Sequence, residues 1–185
     1  MKGELFSISG PIVSVILALA LSSMGASALA QESVEARLEK LGLTLPATPK
    51  PVANYVPAVR VGNLLFVAGQ GPSREGKILY QGHVGKDLTI EEGYEAAKAC
   101  ALNILSIVKS EIGSLDKVER IVMLSGFVNS ADDFAEQPKV LNGASDLMVE
   151  LFGDDGKHAR AAIGVNVLPF NIAVEVAAIV EVKED

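Results

Sequence analysis

The chain has 185 residues, 49% of them hydrophobic, with 16 Lys and Arg against 23 Asp and Glu and a formal net charge of -7. That apolar fraction excludes an acidic disordered tail and suffices for a packed core, and the length suits one domain with an extension. The single cysteine, Cys100, excludes an intrachain disulfide scaffold, and an acidic balance without a basic run argues against a phosphate-backbone binder.

Leu5 to Ala30 carries no charge, follows Lys2, and closes with Ser27-Ala28-Leu29-Ala30, which has small residues at the two positions a signal peptidase reads. This pattern predicts a secretory signal peptide over 1–30, cleaved before Gln31, and hence a secreted or periplasmic protein with no membrane attachment after cleavage. The competing reading is a membrane anchor, against which Ser22, Ser23, Gly25 and Ser27 make the second half polar.

Residues 31–53 read as a short amphipathic helix, Ser33 to Leu41 stopped by Gly42, leading into a proline-rich arm that Pro46, Pro49, Pro51 and, just beyond, Pro57 hold extended. Val56–Val61 and Leu64–Ala68 flank Gly62-Asn63, a dipeptide that accepts positive φ, so a β-hairpin is expected. Gly71 to Lys77 has the spacing of a phosphate-binding loop, but Ile78 stands where Ser or Thr is required. A hairpin turn explains it better, with strand material near Ile78 to Tyr80.

Thr89, followed by Glu91 and Glu92, predicts the start of a long helix whose buried stripe is Ile90, Tyr94, Ala97, Ala101, Ile104 and Val108 and which stops near Gly113. Val118–Val128 reads as a buried strand and Pro138–Phe152 as a second helix ended by Gly153. His158–Val167 and Ile172–Val182 read as two strands of a final hairpin turning at Leu168-Pro169-Phe170-Asn171. The fold class is therefore α+β, a mixed sheet with two helices on one face. Both faces of the last strands are largely apolar, so the second face is expected to meet another subunit.

Few side chains suggest chemistry. His83 and His158 have no cysteine close to them in sequence, so metal binding has little support and ordinary surface roles are expected. Cys100 lies mid-helix among small apolar residues and reads as core rather than nucleophile. The acidic pairs at Asp132-Asp133 and Asp154-Asp155 fit turns. Arg160 and Glu175 stand alone on apolar strands, and residue physics leaves a structural ion pair and a functional site equally open.

The order of several segments carries a resemblance. Asn54-Tyr55-Val56, Gly62-Asn63 through Gly69-Gln70, Asp133-Phe134, Asn142, His158-Ala-Arg160 through Pro169, and Ala173-Val-Glu175 are collinear with the RidA/YjgF family. These are reactive imine/enamine deaminases, also labelled endoribonuclease L-PSP. The resemblance spans 54–185 and implies a chorismate-mutase-like fold, a homotrimer with sites between subunits, and a small-molecule carboxylate substrate. Neither metal nor organic cofactor is implied.

Residue by residue, the resemblance gives Arg160 the substrate carboxylate, Glu175 the attacking water, and Tyr55 a place lining the site. Gly69, Asn142 and Ala162 would bind substrate. The implied reaction is hydrolysis of 2-imino or enamine acids to 2-keto acids and ammonia. A non-catalytic trimeric binder of small carboxylates is the alternative, and a ribonuclease is a third, disfavoured by the acidic balance. Ala162 replaces a cysteine, and Ala68 a serine, of the best-known deaminases, which implies an altered or larger substrate. In a regular final hairpin Glu175 would face about Asn166, leaving Arg160 roughly 20 Å away at about 3.3 Å per residue. The two residues are therefore expected to meet across a subunit boundary.

Overall fold

In the computed structural model the residues described are 32–48 and 53–184, so the signal-peptide reading of 1–30 lies outside them. Helix α1 (Val34–Lys40) begins at Ser33, whose hydroxyl accepts from the amide of Ala36 at 3.1 Å, and Gly42 leaves it at φ +67°. Strands β1 (Ala58–Val61) and β2 (Leu64–Gln70) form the expected hairpin, with Gly62 at φ +60° in its turn. The Gly71–Lys77 segment is a second, small hairpin of β3 (Ser73–Arg74) and β4 (Lys77–Ile78). Its two turn residues, Glu75 and Gly76, both have positive φ, as a tight two-residue turn demands.

Helix α2 (Ile90–Ile112) starts on a reciprocal capping box between Thr89 and Glu92 and ends at Gly113. The expected stripe faces inward: Ala97, Ala101, Ile104 and Val108 are fully buried, and Ile90 packs at its margin. Strand β5 (Val118–Asn129), helix α3 (Gln137–Phe152), β6 (Ala159–Val165) and β7 (Val174–Val182) complete the order. Helices α2 and α3 cover one face of a five-stranded sheet ordered β1-β2-β7-β5-β6. Gly143 lets them cross closely, since a Cβ there would overlap the carbonyl oxygen of Tyr94.

The third helix, α1, is more than a lead-in. It buries Val34 and Leu38, roughly 1.5–3 kcal/mol of hydrophobic transfer each. Polar contacts hold it in place. The Val34 amide donates to Asp116 Oδ1 at 2.8 Å, the Leu115 amide donates to Glu35 Oε1 at 3.2 Å, and Arg37 Nη1 donates to the carbonyl of Leu151 near the end of α3.

The expected final hairpin is not formed. Strand β6 pairs parallel to β5, from Met123↔Ala159 to Asn129↔Val165, while β7 pairs antiparallel to the opposite edge of β5. A parallel pair needs a crossover, and α3 supplies it between β5 and β6. The segment after β6 then passes the end of β5, where Asn129 Nδ2 donates to Asn171 Oδ1 at 3.0 Å, with Phe170 and Asn171 at φ +57° and +56°. Strand β7 becomes the centre of the sheet, bonded to β2 and β5, and β6 becomes an edge.

The register sorts side chains between the two faces. Ala58, Val67, Ala178, Leu124 and Arg160 form one rung on the helix-covered face. Val59, Phe66, Ile179, Met123 and Ala159 form the neighbouring rung on the other face. That second face is apolar, as expected, and open within one chain: Phe66 is 42% exposed and Ile163 51%.

Candidate active site

The helix-side rung containing Arg160 is apolar up to its last member. Because β6 is an edge strand, Arg160 escapes that core by reaching along α3. Nη1 donates to Asn142 Oδ1 at 2.8 Å and to Ser145 Oγ at 3.0 Å, two residues three apart on one face of the helix. Both protons of Nη1 are thereby used. The Nε–Nη2 edge keeps the two parallel N–H bonds that match a carboxylate.

Ser145 is itself held. Its hydroxyl lies 3.0 Å from His158 Nε2, and His158 Nδ1 lies 2.6 Å from the carbonyl oxygen of Gly156. A carbonyl only accepts, so Nδ1 carries the proton and, in the neutral ring, Nε2 accepts from Ser145. Gly156 permits this geometry, since a Cβ on it would overlap the backbone of Met148 in α3. Burial pushes the His158 pKa below the usual histidine value; the Gly156 bond opposes that shift and the Arg160 charge adds to it. The ordinary surface role expected for His158 is thus corrected, because the ring is partly buried and bonded into the support of Arg160.

Glu175 occupies a different setting. It lies beside Gly69, where a Cβ would overlap its Oε1. Strand β2 is irregular at this point: Val67 faces Ala178 but Gln70 faces Val176, so one extra residue bulges beside the carboxylate. The buried Gln70 pins the bulge by donating from Nε2 to the carbonyls of Ala68 and Gly69, both at 3.0 Å. Half-burial raises the Glu175 pKa through desolvation. Tyr55 is 48% exposed in the lead-in to β1, near the same end of β2, where the Ala68 amide donates to the Pro57 carbonyl at 2.9 Å.

The six predicted site residues therefore fall into two groups. Asn142, Arg160 and Ala162 belong to α3 and β6, with Ala162 next to Gly126 and packed on the core. Tyr55, Gly69 and Glu175 belong to β2, β7 and the approach to β1. Glu175 pairs with Phe127, whereas Arg160 pairs with Leu124, so strand alternation puts the two charges on opposite faces of the sheet. The hairpin argument for their separation fails with the hairpin, and this face relationship replaces it.

Ser145 and His158 were not predicted, although both are spaced to reach Arg160: Ser145 follows Asn142 by one helical turn and His158 precedes Arg160 by one strand repeat. The other buried candidate, Cys100, is core as expected, its Sγ 3.5 Å from the carbonyl of Val174. His83 bonds Asp87 at 3.1 Å in an exposed turn. Among the described residues no three of His, Cys, Asp and Glu converge on a metal-sized site.

Comparison with known proteins gives a consistent result. A family model described as "YjgF/chorismate_mutase-like, putative endoribonuclease" matches residues 35–182, which takes in α1 from Glu35 onward. Protein TCP17 of Trypanosoma cruzi is 47% identical over 158 residues, covering 85% of this chain and 99% of that protein. A 2-iminobutanoate/2-iminopropanoate deaminase of Dermatophagoides farinae is 27% identical over 146 residues, covering 76% and 95%. A Shewanella oneidensis MR-1 structure described as a "putative endoribonuclease" superposes with a TM-score of 0.80 at 38% identity, covering 82% of this chain and 100% of that one.

Proposed function

From the premise that the chain belongs to the YjgF/RidA family, we propose that it hydrolyses 2-imino or enamine acids to 2-keto acids and ammonia. The observation that carries this reading is the Arg160 fork. Its Nη1 is fixed by Asn142 and Ser145, and its Nε–Nη2 edge is free to hold a carboxylate beside an electrophilic C=N carbon. A deaminase of 2-imino acids among the relatives supports the substrate class.

Glu175 supplies the complementary group. As a carboxylate it accepts one proton from the attacking water while oxygen bonds to the imine carbon and returns it to the nitrogen; as the C–N bond breaks and C=O forms, it takes the remaining hydroxyl proton, which the released ammonia picks up. The balance is iminium acid plus water to 2-keto acid plus ammonium. A carboxyl whose pKa is raised by burial suits a proton that must be both taken and given. Since Arg160 and Glu175 point to opposite faces within one chain, the reading places each complete site between subunits of a homotrimer. The edge strand β6 of one copy would meet the open face, Gly69 and Tyr55 of the next.

The test is ammonia and 2-keto acid release from freshly generated 2-imino acids, by wild type and Arg160→Ala. Turnover lost in the variant supports the reading; equal rates in both remove it. A carboxylate binder without turnover is the second reading, favoured by Ala162, whose side chain offers no polar atom near Arg160. Binding of 2-keto acids with no ammonia release would establish that alternative. Export is part of the same proposal, and N-terminal sequencing of the protein from fractionated cells should find Gln31 first.

A further inference from the structure

Arg160 is one of the few charges whose support can be followed donor by donor to its end. The chain of bonds runs from Arg160 Nη1 to Ser145 Oγ, from the Ser145 hydroxyl to His158 Nε2, and from His158 Nδ1 to the Gly156 carbonyl. Every link has a fixed direction. The terminal carbonyl cannot donate, so it sets the His158 tautomer, and that tautomer leaves Nε2 needing a donor. Ser145 fills that need, which turns its lone pairs toward Arg160.

We infer that Ser145 and His158 are positioning residues that aim the Nε–Nη2 edge of Arg160 at the carboxylate of the ligand. The inference rests on the carboxylate-anchoring role proposed above for Arg160 and deepens it. An arginine held by Asn142 alone would keep one contact and could swivel about it. A second contact three residues along the helix fixes the plane of the guanidinium, and a planar fork is useful only when its plane is fixed. His158 joins the turn after α3 to the strand that bears Arg160, so it ties helix, turn and strand into one frame.

The experiment measures binding rather than turnover. Wild type, Ser145→Ala, Ser145→Thr, His158→Leu, His158→Gln and Arg160→Ala are titrated with 2-oxobutanoate and with its neutral carboxamide, by NMR or calorimetry. In Ser145→Ala and His158→Leu the preference for the carboxylate over the amide should fall about tenfold, the scale of one charge-assisted hydrogen bond. Ser145→Thr keeps the hydroxyl and should keep the preference. His158→Gln keeps an acceptor toward Ser145 and a donor toward Gly156; it should also keep the preference, and it carries the test if the leucine variant does not fold.

Equal weakening toward both ligands in Ser145→Ala would mean a merely structural role and would overturn the inference, as would an unchanged preference in Ser145→Ala or a preference lost in Ser145→Thr. If Arg160→Ala retains the carboxylate preference, or wild type has none, the anchoring role itself falls and takes this inference with it. Loss in Arg160→Ala with no change in Ser145→Ala leaves the anchor standing and removes only the positioning role.

Discussion

Arg160 and Glu175 are separated by a single strand and by the plane of the sheet: Leu124 of β5 faces the first toward the helices, and Phe127 of the same strand faces the second away from them. Two strand spacings across and three residues along put their Cα atoms roughly 14 Å apart before the opposed directions of the side chains are counted. On the function proposed above, a small acid touching both would bridge two copies of the chain. Subunits carrying Arg160→Ala, mixed by refolding with subunits carrying Glu175→Gln, should regain about a quarter of wild-type turnover, because a random cyclic assembly pairs one intact Arg160 with one intact Glu175 at that frequency. Mixtures as inactive as their components would show that the two residues act within one chain.

The fork geometry makes Arg160→Lys a demanding substitution. Lysine keeps the charge but offers no pair of parallel donors, and it cannot bond Asn142 and Ser145 while also spanning a carboxylate. Turnover per encounter, kcat/KM, should fall about 10- to 100-fold for imino acids, with the larger part of the loss in KM. Unchanged KM would contradict carboxylate anchoring.

The half-buried place of Glu175 carries a pH-dependent cost in stability. Burial raises its pKa above the ordinary value of 4.5, so between 4.5 and the raised value the folded chain holds a proton that the unfolded chain has lost. Its contribution to stability is present below 4.5 and disappears as pH rises through the folded pKa. Glu175→Gln should therefore raise Tm at neutral pH, with the difference closing near pH 4. Thermal melts at the two pH values check this, and turnover should be abolished at both.

Two glycines give opposite outcomes for the same substitution. In Gly69→Ala the new methyl meets the movable end of Glu175, so the fold should survive while the displaced carboxylate loses about 100-fold in kcat. In Gly143→Ala the methyl meets the backbone of Tyr94, so the α2–α3 crossing must open, at a cost of about 1–3 kcal/mol or more. Denaturant midpoints and initial rates separate the two.

Phe66 tests the open face. It sits in the rung Val59-Phe66-Ile179-Met123-Ala159, away from the helices. Phe66→Glu should leave circular dichroism unchanged yet reduce the sedimenting species to monomer and abolish turnover. A variant that remains assembled would show that subunits do not meet on this face.

Local chemistry was readable wherever the sequence states it locally. Thr89 with Glu92, and Gly42, Gly62, Gly113 and Gly153 at element ends, mark boundaries that need no knowledge of the rest of the chain. Strand pairing was not readable in this way. The alternation in Ala161-Ile163-Val165 and Val174-Val176-Ala178 is the same whether the strands pair with each other or flank a third, and the turn-like Phe170-Asn171 suits both. The crossover helix between β5 and β6 was the available clue, since helix-linked strands pair in parallel. The bond between Ser145 and His158 was not readable because 13 residues separate them and only the α3-to-β6 turn brings them together.

The edge position of β6 has a consequence for dynamics. In one chain the strand that carries Arg160 is bonded along one side only, whereas the strand that carries Glu175 is bonded along both. Amide hydrogens of β6 should therefore exchange through local opening well before those of β7. Burial of β6 in an assembly would slow that exchange, so the exchange rate of one edge strand becomes a gauge of how much of the protein stands with its anchoring half completed by a neighbour.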